Sequence, residues 1–345
     1  MNTPRQQQIF WSIRKNEPVG TSAIAGSLID KISIPTLNRE LAHLKKENFI
    51  VSEGTGPSTK YRINLNGLIV AQIDPELYFK TETDERKILS TYNPEILNRL
   101  ETVELFSDSE LKSLSTLTKS FQSKIKTTSP ANYQREFERL MIELSWKSSQ
   151  IEGNTYNLLD TEQLLKYNIP SNSHSKEEAT MLLNHKTAIE YIRENADLYG
   201  NISIGKIVDI HTLLIKGLNI SKNLRKRLVR ITGTTYTPPD NSFVIEESLE
   251  KLCNLINRTE NSFIKAFLAV LLISYIQPFE DGNKRTSRLL ANAILMNANM
   301  CPLSYRSVNP IDYKKTMLLF YELNNVTAFK KIFVSQYEFA VENYF

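Results

Sequence analysis

The sequence predicts a mainly α protein: a helical body carrying one small β-hairpin, preceded by a short module of three helices and a second hairpin. Three observations predict it. Leucine and isoleucine recur every three or four residues over long stretches. Only 11 glycines and 13 prolines punctuate 345 residues, too few for a loop-rich chain. β-Branched residues around Gly/Pro turns read as hairpins at residues 50–63 and 228–244. With 41% hydrophobic and 23% charged residues, the chain is neither polar enough for wholesale disorder nor apolar enough for a bilayer. Its longest apolar run, residues 267–276, falls short of the ~20 residues a crossing helix requires. The first residues lack the apolar core of a secretory leader, so a cytoplasmic protein without a membrane partner is expected. Cys253 and Cys301 have neither metal-ligand spacing nor a disulfide framework and read as buried thiols.

Taken in order, residues 6–15 place Ile9, Phe10 and Ile13 on one helical face, and Pro18-Val19-Gly20 breaks the run before Thr21 caps a second helix over 22–28. Ser33 caps a third helix with Pro35 in its first turn and Leu37, Leu41 and Leu44 as its apolar stripe. Ile50-Val51 and Tyr61-Arg62-Ile63 then read as strands around a Gly/Pro turn. The order resembles a winged helix-turn-helix. That geometry would offer Thr36, Asn38, Arg39, His43, Lys45 and Lys46 to a major groove, with Lys60 and Arg62 near phosphates. Residues 1–64 hold nine basic against five acidic residues, whereas the remainder is neutral, so double-stranded DNA is an expected partner. Packing on a partner domain is the alternative. The expected organisation is a winged module over 1–66, an extended connection over 67–95, a helical region over 96–160, and a helical core with C-terminal helices over 161–345.

The stretch most informative about chemistry runs from Gln277 to Arg288, QPFEDGNKRTSR, between the apolar helix FIKAFLAVLLISYI and a second helical pattern, RLLANAILMNA. A glycine-containing turn entering a helix presents free N–H groups and the positive dipole end, which together cradle an anion. Gly282 lets the turn close, Asn283 can donate, Lys284 and Arg285 bring charge, and Arg288, one turn on, can grip phosphate oxygens bidentately. Asp281 adds the single carboxylate by which Mg²⁺ is usually held when substrate phosphates complete its shell. These residues specify a nucleoside triphosphate with Mg²⁺.

At these residues the chain resembles the Fic family, whose signature is His-x-Phe-x-Asp/Glu-Gly-Asn-Gly/Lys-Arg-x-x-Arg; eleven of twelve positions agree. The helix IVDIHTLLIKGL, the segment VRITGTTYTPPDNSFV and the run WKSSQIEGNTYNL extend the resemblance over about 200 residues. It implies an all-helical Fic fold and transfer of AMP from ATP to a hydroxyl of a target protein, with Mg²⁺ as cofactor. The departure is Gln277, which stands where the family has its catalytic histidine. A carboxamide cannot hold the transferred proton, and losing general-base help typically costs ~10²- to 10⁴-fold, so transfer should be weak or lost while nucleotide binding persists. No substitute base is evident among His43, His174, His185 and His211; His211, on an apolar helix, reads as a packed residue.

Ser148, Glu152 and Gly153 resemble the family's inhibitory motif, in which Glu152 would pair with Arg288 and deny it to the γ-phosphate. The 228–244 hairpin resembles the target-docking flap, with Ile231, Thr232 and Gly233 as contact points and Tyr236 as their neighbour; its open edge could pair with an extended target. Three functions stay open at this point: an autoinhibited adenylyltransferase, a nucleotide-sensing DNA-binding regulator without catalysis, and a DNA-independent scaffold. A second copy of the chain is a further candidate partner.

Overall fold

Helix α1 (Pro4–Asn16) starts where the Thr3 hydroxyl accepts from the Gln6 amide, and Pro4 occupies the first turn, where a missing N–H costs nothing. The same device opens α3 (Ile34–Lys46), with Ser33 accepting from the Thr36 amide and Pro35 just inside. Between them lie a two-residue strand β1 (Val19–Gly20) and the short α2 (Thr21–Ser27). Strands β2 (Ile50–Glu53) and β3 (Lys60–Ile63) follow, and the antiparallel sheet runs β1-β3-β2, with Val19 opposite Tyr61 and Val51 opposite Arg62. Ile9, Phe10, Ile13, Ile24, Leu37, Leu41 and Leu44 form the core under this sheet. From sequence alone Val19 and Gly20 read as a break only. A two-residue strand has no periodicity to betray it, and its partner lies some forty residues away.

The computed structural model describes residues 3–345 and is mainly α with this one small sheet. It divides into two compact units, Met1–Leu89 with Leu319–Ala328, and Ser90–Leu318 with Phe329–Phe345. Within the first unit the stretch expected to be an extended connection instead carries α4 (Leu65–Val70), α5 (Pro75–Tyr78) and a 3₁₀ turn at Thr83–Glu85. Asn64 and Asp74 cap the two helices through their side chains. Gly67 has no room for a side chain, since a Cβ there would lie 2.5 Å from the Phe49 Cα. Residues 319–328 belong to this unit because Asn325 Nδ2 donates to the carbonyls of Leu68 and Ala71 (2.7 and 2.8 Å), and Glu322 accepts from the Tyr78 hydroxyl (2.7 Å).

The second unit holds α6 (Glu95–Thr102), α7 (Asp108–Thr127), α8 (Pro130–Ile151), α9 (Leu158–Tyr167), α10 (Lys176–Glu194), α11 (Ile204–Leu214), α12 (Ser242–Arg258), α13 (Ser262–Ile276) and α14 (Asn283–Asn297). Most of α15 (Pro310–Leu323) and α16 (Thr327–Asn343) complete it. Helix α13 is apolar on every face, and such a helix is stable only when wrapped by others. It is buried from Ala266 to its end, and α14 is buried at every position through Leu295 except Lys284. Phe106, Phe263, Phe267, Phe329, Phe333 and Tyr337 close over α13 in edge and stacked contacts. The α13–α14 pair is therefore a rigid platform, and the loop joining it inherits that rigidity. Cys253 and Cys301 are buried and form no disulfide. Among the described residues no helix is long and apolar enough to cross a membrane.

One expected element differs. Residues 228–241 do not fold onto themselves as a hairpin. A turn forms at Thr232 and Gly233, with φ +89° at the glycine, but Thr237 pairs instead with a distant segment: its amide donates to Ser90 O (2.9 Å), and its carbonyl accepts from the Tyr92 amide (3.0 Å). Pro238 and Pro239 follow and have no N–H to continue a ladder.

Candidate active site

Helix α13 stops at Ile276 because Gln277 adopts left-handed backbone, φ +51° and ψ +59°. The Gln277 side chain, 7% exposed, folds back on this helix end: Nε2 donates to Ser274 O (2.6 Å) and Oε1 accepts from Asn283 Nδ2 (3.0 Å). Asn283 is itself fixed by the loop it ends. Its Oδ1 accepts from the Phe279 amide and its Nδ2 also donates to Phe279 O, both at 2.8 Å. The residue expected to contact nucleotide thus spends its amide on shaping the 277–283 loop.

The loop is also held from below. Phe279 stacks on the His211 imidazole, centroids 3.6 Å apart and planes 2° from parallel, while His211 Nε2 donates to Asp281 O (2.9 Å). A carbonyl only accepts, so the proton sits on Nε2, and the buried Nδ1 has no partner. Gly282 follows at φ +82°, where a Cβ would press within 3.4 Å of that ring. From sequence alone His211 reads as packing only; the signal it offers is one imidazole on an otherwise apolar helix face, with its partner seventy residues away.

Gly282 starts α14 with no side-chain cap, so the first-turn amides are left for water or an anion. Arg285 points the same way. It is 1% exposed, reaches Asp281 Oδ2 at 3.3 Å, and keeps Nε and Nη1 buried without a partner. Asp281 is 62% exposed, so this cation lacks a buried counter-charge. Burial pushes the guanidinium pKa down, against the pull of Asp281 and Glu152. Two unmet donors on a buried arginine are costly unless an anion arrives.

Arg288 already has one. Its Nη2 donates to Glu152 Oε1 (2.9 Å) and to Ser148 O (2.8 Å), and its Nε to Ser148 Oγ (3.0 Å). Helix α8 presents both partners because it ends at Ile151, with Gly153 at φ +101° turning the chain away. A carboxylate at a helix C-terminus faces the negative dipole end and needs cations. Glu152 has two, since Lys284 Nζ lies 3.4 Å from Oε2. Burial would raise the Glu152 carboxyl; the charges of Arg288 and then Lys284, with the Arg288 hydrogen bond, overcome that and hold it below the usual range. The structure therefore places Lys284 on Glu152, a contact the sequence reading did not foresee. Buried His185 adds to the cluster, its Nε2 2.9 Å from Ser148 Oγ; burial first, then Arg288 and Arg285, keeps it neutral.

Of the expected docking contacts, Thr232 and Gly233 are exposed and Ile231 is half-buried. Tyr236 is buried, stacked on Tyr275 at 4.8 Å with its hydroxyl donating to Tyr275 O, so it holds the segment down. In the first unit Asn38, Arg39, His43, Lys45 and Lys46 are exposed on α3 and Thr36 is half-buried. Lys45 donates to Ser52 Oγ (2.7 Å) and Arg62 pairs with Glu53 (3.0 Å), while Arg39, Lys46 and Lys60 are exposed bases of the same region.

Residues 201–295 match the Fic/DOC family. The loop from Gln277 to Arg288 lies inside this match; Ser148 and Glu152 lie before it. The chain is 28% identical over 189 residues to a protein adenylyltransferase Fic of Nematostella vectensis, covering 52% of this chain and 43% of that one. It is 29% identical over 161 residues to a protein adenylyltransferase Fic of Drosophila melanogaster, covering 46% and 33%. The chain thus spans less than half the length of these curated relatives. Among solved structures, C. elegans Fic-1 (residues 134–508) superposes with a TM-score of 0.61 over 73% of this chain and 80% of that one, at 18% identity. A Fic domain containing signaling protein from Bacteroides thetaiotaomicron gives 0.56 over 68% and 94%, at 20%. Both likenesses concern the fold.

Within the matched residues, His211 makes acid stability a test of the loop. Burial, with Arg285 adding to it and Asp281 opposing, lowers its pKa from 6.5 to about 4. The unfolded chain takes up a proton that the folded chain refuses between those values, so stability falls as pH drops through that window, about 1.4 kcal/mol per unit. The urea midpoint is expected to fall from pH 6.5 toward 4, and less steeply in His211→Gln. Equal slopes in both chains would contradict the assignment of a neutral His211.

Proposed function

We propose that the chain is an autoinhibited protein adenylyltransferase of the Fic type, binding ATP at the start of α14 and, with Gln277 in place of a base, transferring AMP to a target hydroxyl weakly or not at all. The observation that carries this reading is the uncapped N-terminus of α14 beside the two unmet N–H groups of buried Arg285. An extended anion such as a triphosphate would satisfy both. Arg288 is the donor next in line for its terminal phosphate, and Glu152 with Ser148 withholds it.

Among the described residues no three His, Cys, Asp or Glu side chains group to hold a metal. The donor set still suits Mg²⁺, which is commonly held by one carboxylate plus substrate phosphates and water. Asp281, exposed at the loop mouth, would hold it, and when bound it would screen phosphate charge. The chain's own residues do the rest: Asn283 and His211 fix the loop, Arg285 binds phosphate oxygen, and the side chain at 277 stands where a proton would have to leave the attacking Ser, Thr or Tyr hydroxyl. The turn at 231–233, exposed at Thr232 and Gly233, is the proposed docking point for the target segment. Titration of Mg-ATP into the chain, with labelled ATP and lysate as the transfer assay, tests the reading; no binding heat with either this chain or Glu152→Gly contradicts it.

A second reading, a nucleotide-sensing regulator that binds duplex DNA through a winged helix-turn-helix in the cytoplasm, is favoured by the helix, strand and two-helix order of residues 4–46 followed by the β2–β3 wing. Each phosphate contact adds about 0.9 to the slope of log affinity against log salt. Arg39→Ala and Lys46→Ala are each expected to weaken duplex binding and to reduce that slope by about this amount; retardation indifferent to both would point to protein docking by this unit.

A further inference from the structure

Between α11 and α12 the chain carries six bases, Lys216, Lys222, Arg225, Lys226, Arg227 and Arg230, and only Arg225 is buried, at 1% exposure. Its acceptors are all main-chain carbonyls. Nε donates to Gln277 O (2.6 Å), Nη2 to Pro239 O (2.7 Å) and Ile276 O (3.4 Å), and Nη1 to Arg227 O (2.9 Å). The Arg225 amide donates to Pro278 O (2.9 Å). Three successive carbonyls, 276 to 278, therefore all bond to one residue.

The C-terminal carbonyls of α13 lose their helical partners where the chain turns left-handed at Gln277, and they form the negative dipole end of a helix buried from Ala266 onward. A guanidinium meets both needs, because its planar fork supplies several donors at fixed angles and its charge opposes the dipole. A lysine ammonium would supply the charge without the fork. The bond to Pro239 O gives the arrangement its reach, since that carbonyl ends the 228–239 segment, which Tyr236 also ties to Tyr275 O.

We infer that Arg225 is a positioning residue: one guanidinium fixes the backbone of residue 277 and the 228–241 segment in a common frame. The functional weight of that frame rests on the proposed function, in which residue 277 addresses the attacking hydroxyl and residues 231–233 hold the target.

The test needs no nucleotide. In the unsubstituted chain, nitrogen-edited NMR is expected to show the Arg225 Nε–H exchanging with solvent far more slowly than those of exposed Arg227 and Arg230. In Arg225→Lys, hydrogen exchange is expected to show loss of protection at the hydrogen-bonded amides of Gln277, Phe279 and Thr237, while amides in the middle of α13 stay protected. In Arg225→Ala, added ethylguanidinium is expected to restore that protection, and to do nothing in Arg225→Lys. If the substituted chains fail to fold, the native Nε–H measurement and folding of Arg225→Ala by ethylguanidinium still decide. An Arg225 Nε–H that exchanges as fast as its exposed neighbours, or a folded Arg225→Lys with unchanged protection, overturns the inference. Failure of ATP to bind would leave these results standing and sink only the nucleotide reading.

Discussion

Replacing Gln277 with histidine in a Glu152→Gly chain is expected to raise transfer of labelled AMP to protein by about 10²- to 10⁴-fold over Glu152→Gly alone, the usual worth of a positioned general base. The geometry says how. Ser274 O now accepts from Gln277 Nε2 and needs a donor whatever residue stands at 277. An imidazole would meet it with Nδ1–H, and that bond selects the tautomer whose Nε2 lone pair is free to take a proton. Asn283 Nδ2 would lose one of its two acceptors and keep Phe279 O. Because residue 277 is nearly buried, the histidine should titrate at or below about 6.5, with activity rising through that pH and level above it. No gain in labelling for a folded, ATP-binding double variant contradicts the role assigned to this position.

Glu152→Gly alone is expected to tighten Mg-ATP binding by about 5- to 150-fold, the range that typical coupling free energies within one protein span. Glu152 occupies donors on both Arg288 and Lys284. Removing it frees both, yet Arg288 stays aimed because Ser148 still accepts from its Nε and Nη2. The same substitution leaves buried Arg288 short of a counter-charge, and breaking a buried pair typically costs about 3–5 kcal/mol. The two effects oppose each other in one experiment: without nucleotide the variant should melt lower than the parent chain, and with saturating Mg-ATP it should gain more in melting temperature. A variant that melts lower and gains nothing from ATP would make Glu152 a structural ion-pair partner only.

The local chemistry of the site was legible because it sits in twelve consecutive residues. Spacing alone put Gly282 at a helix start and Arg285 and Arg288 one turn apart, and the apolar flanks required both helices to be buried. The leucine stripe of α3, the helical pattern of α14 and the β2–β3 turn were legible for the same reason: each is a short-range pattern. What the sequence could not show is direction. Asn283 and Lys284 carry the right groups, but the first turns its amide into the loop and the second lies on Glu152, over a hundred residues away. His211 and Arg225 support the loop through carbonyls that no residue pattern announces. The 228–241 segment has hairpin composition, yet its ladder partner is Ser90–Tyr92, and two prolines end it.

The account stands on an anion being drawn to the start of α14, and calorimetry on a matched pair tests it most directly. Mg-ATP titrated into Glu152→Gly and into Glu152→Gly/Arg285→Ala should give saturable heat in the first and an affinity at least about tenfold weaker in the second, as befits the loss of a charged hydrogen bond. Equal affinity in the two folded chains, or no heat in either, would contradict it.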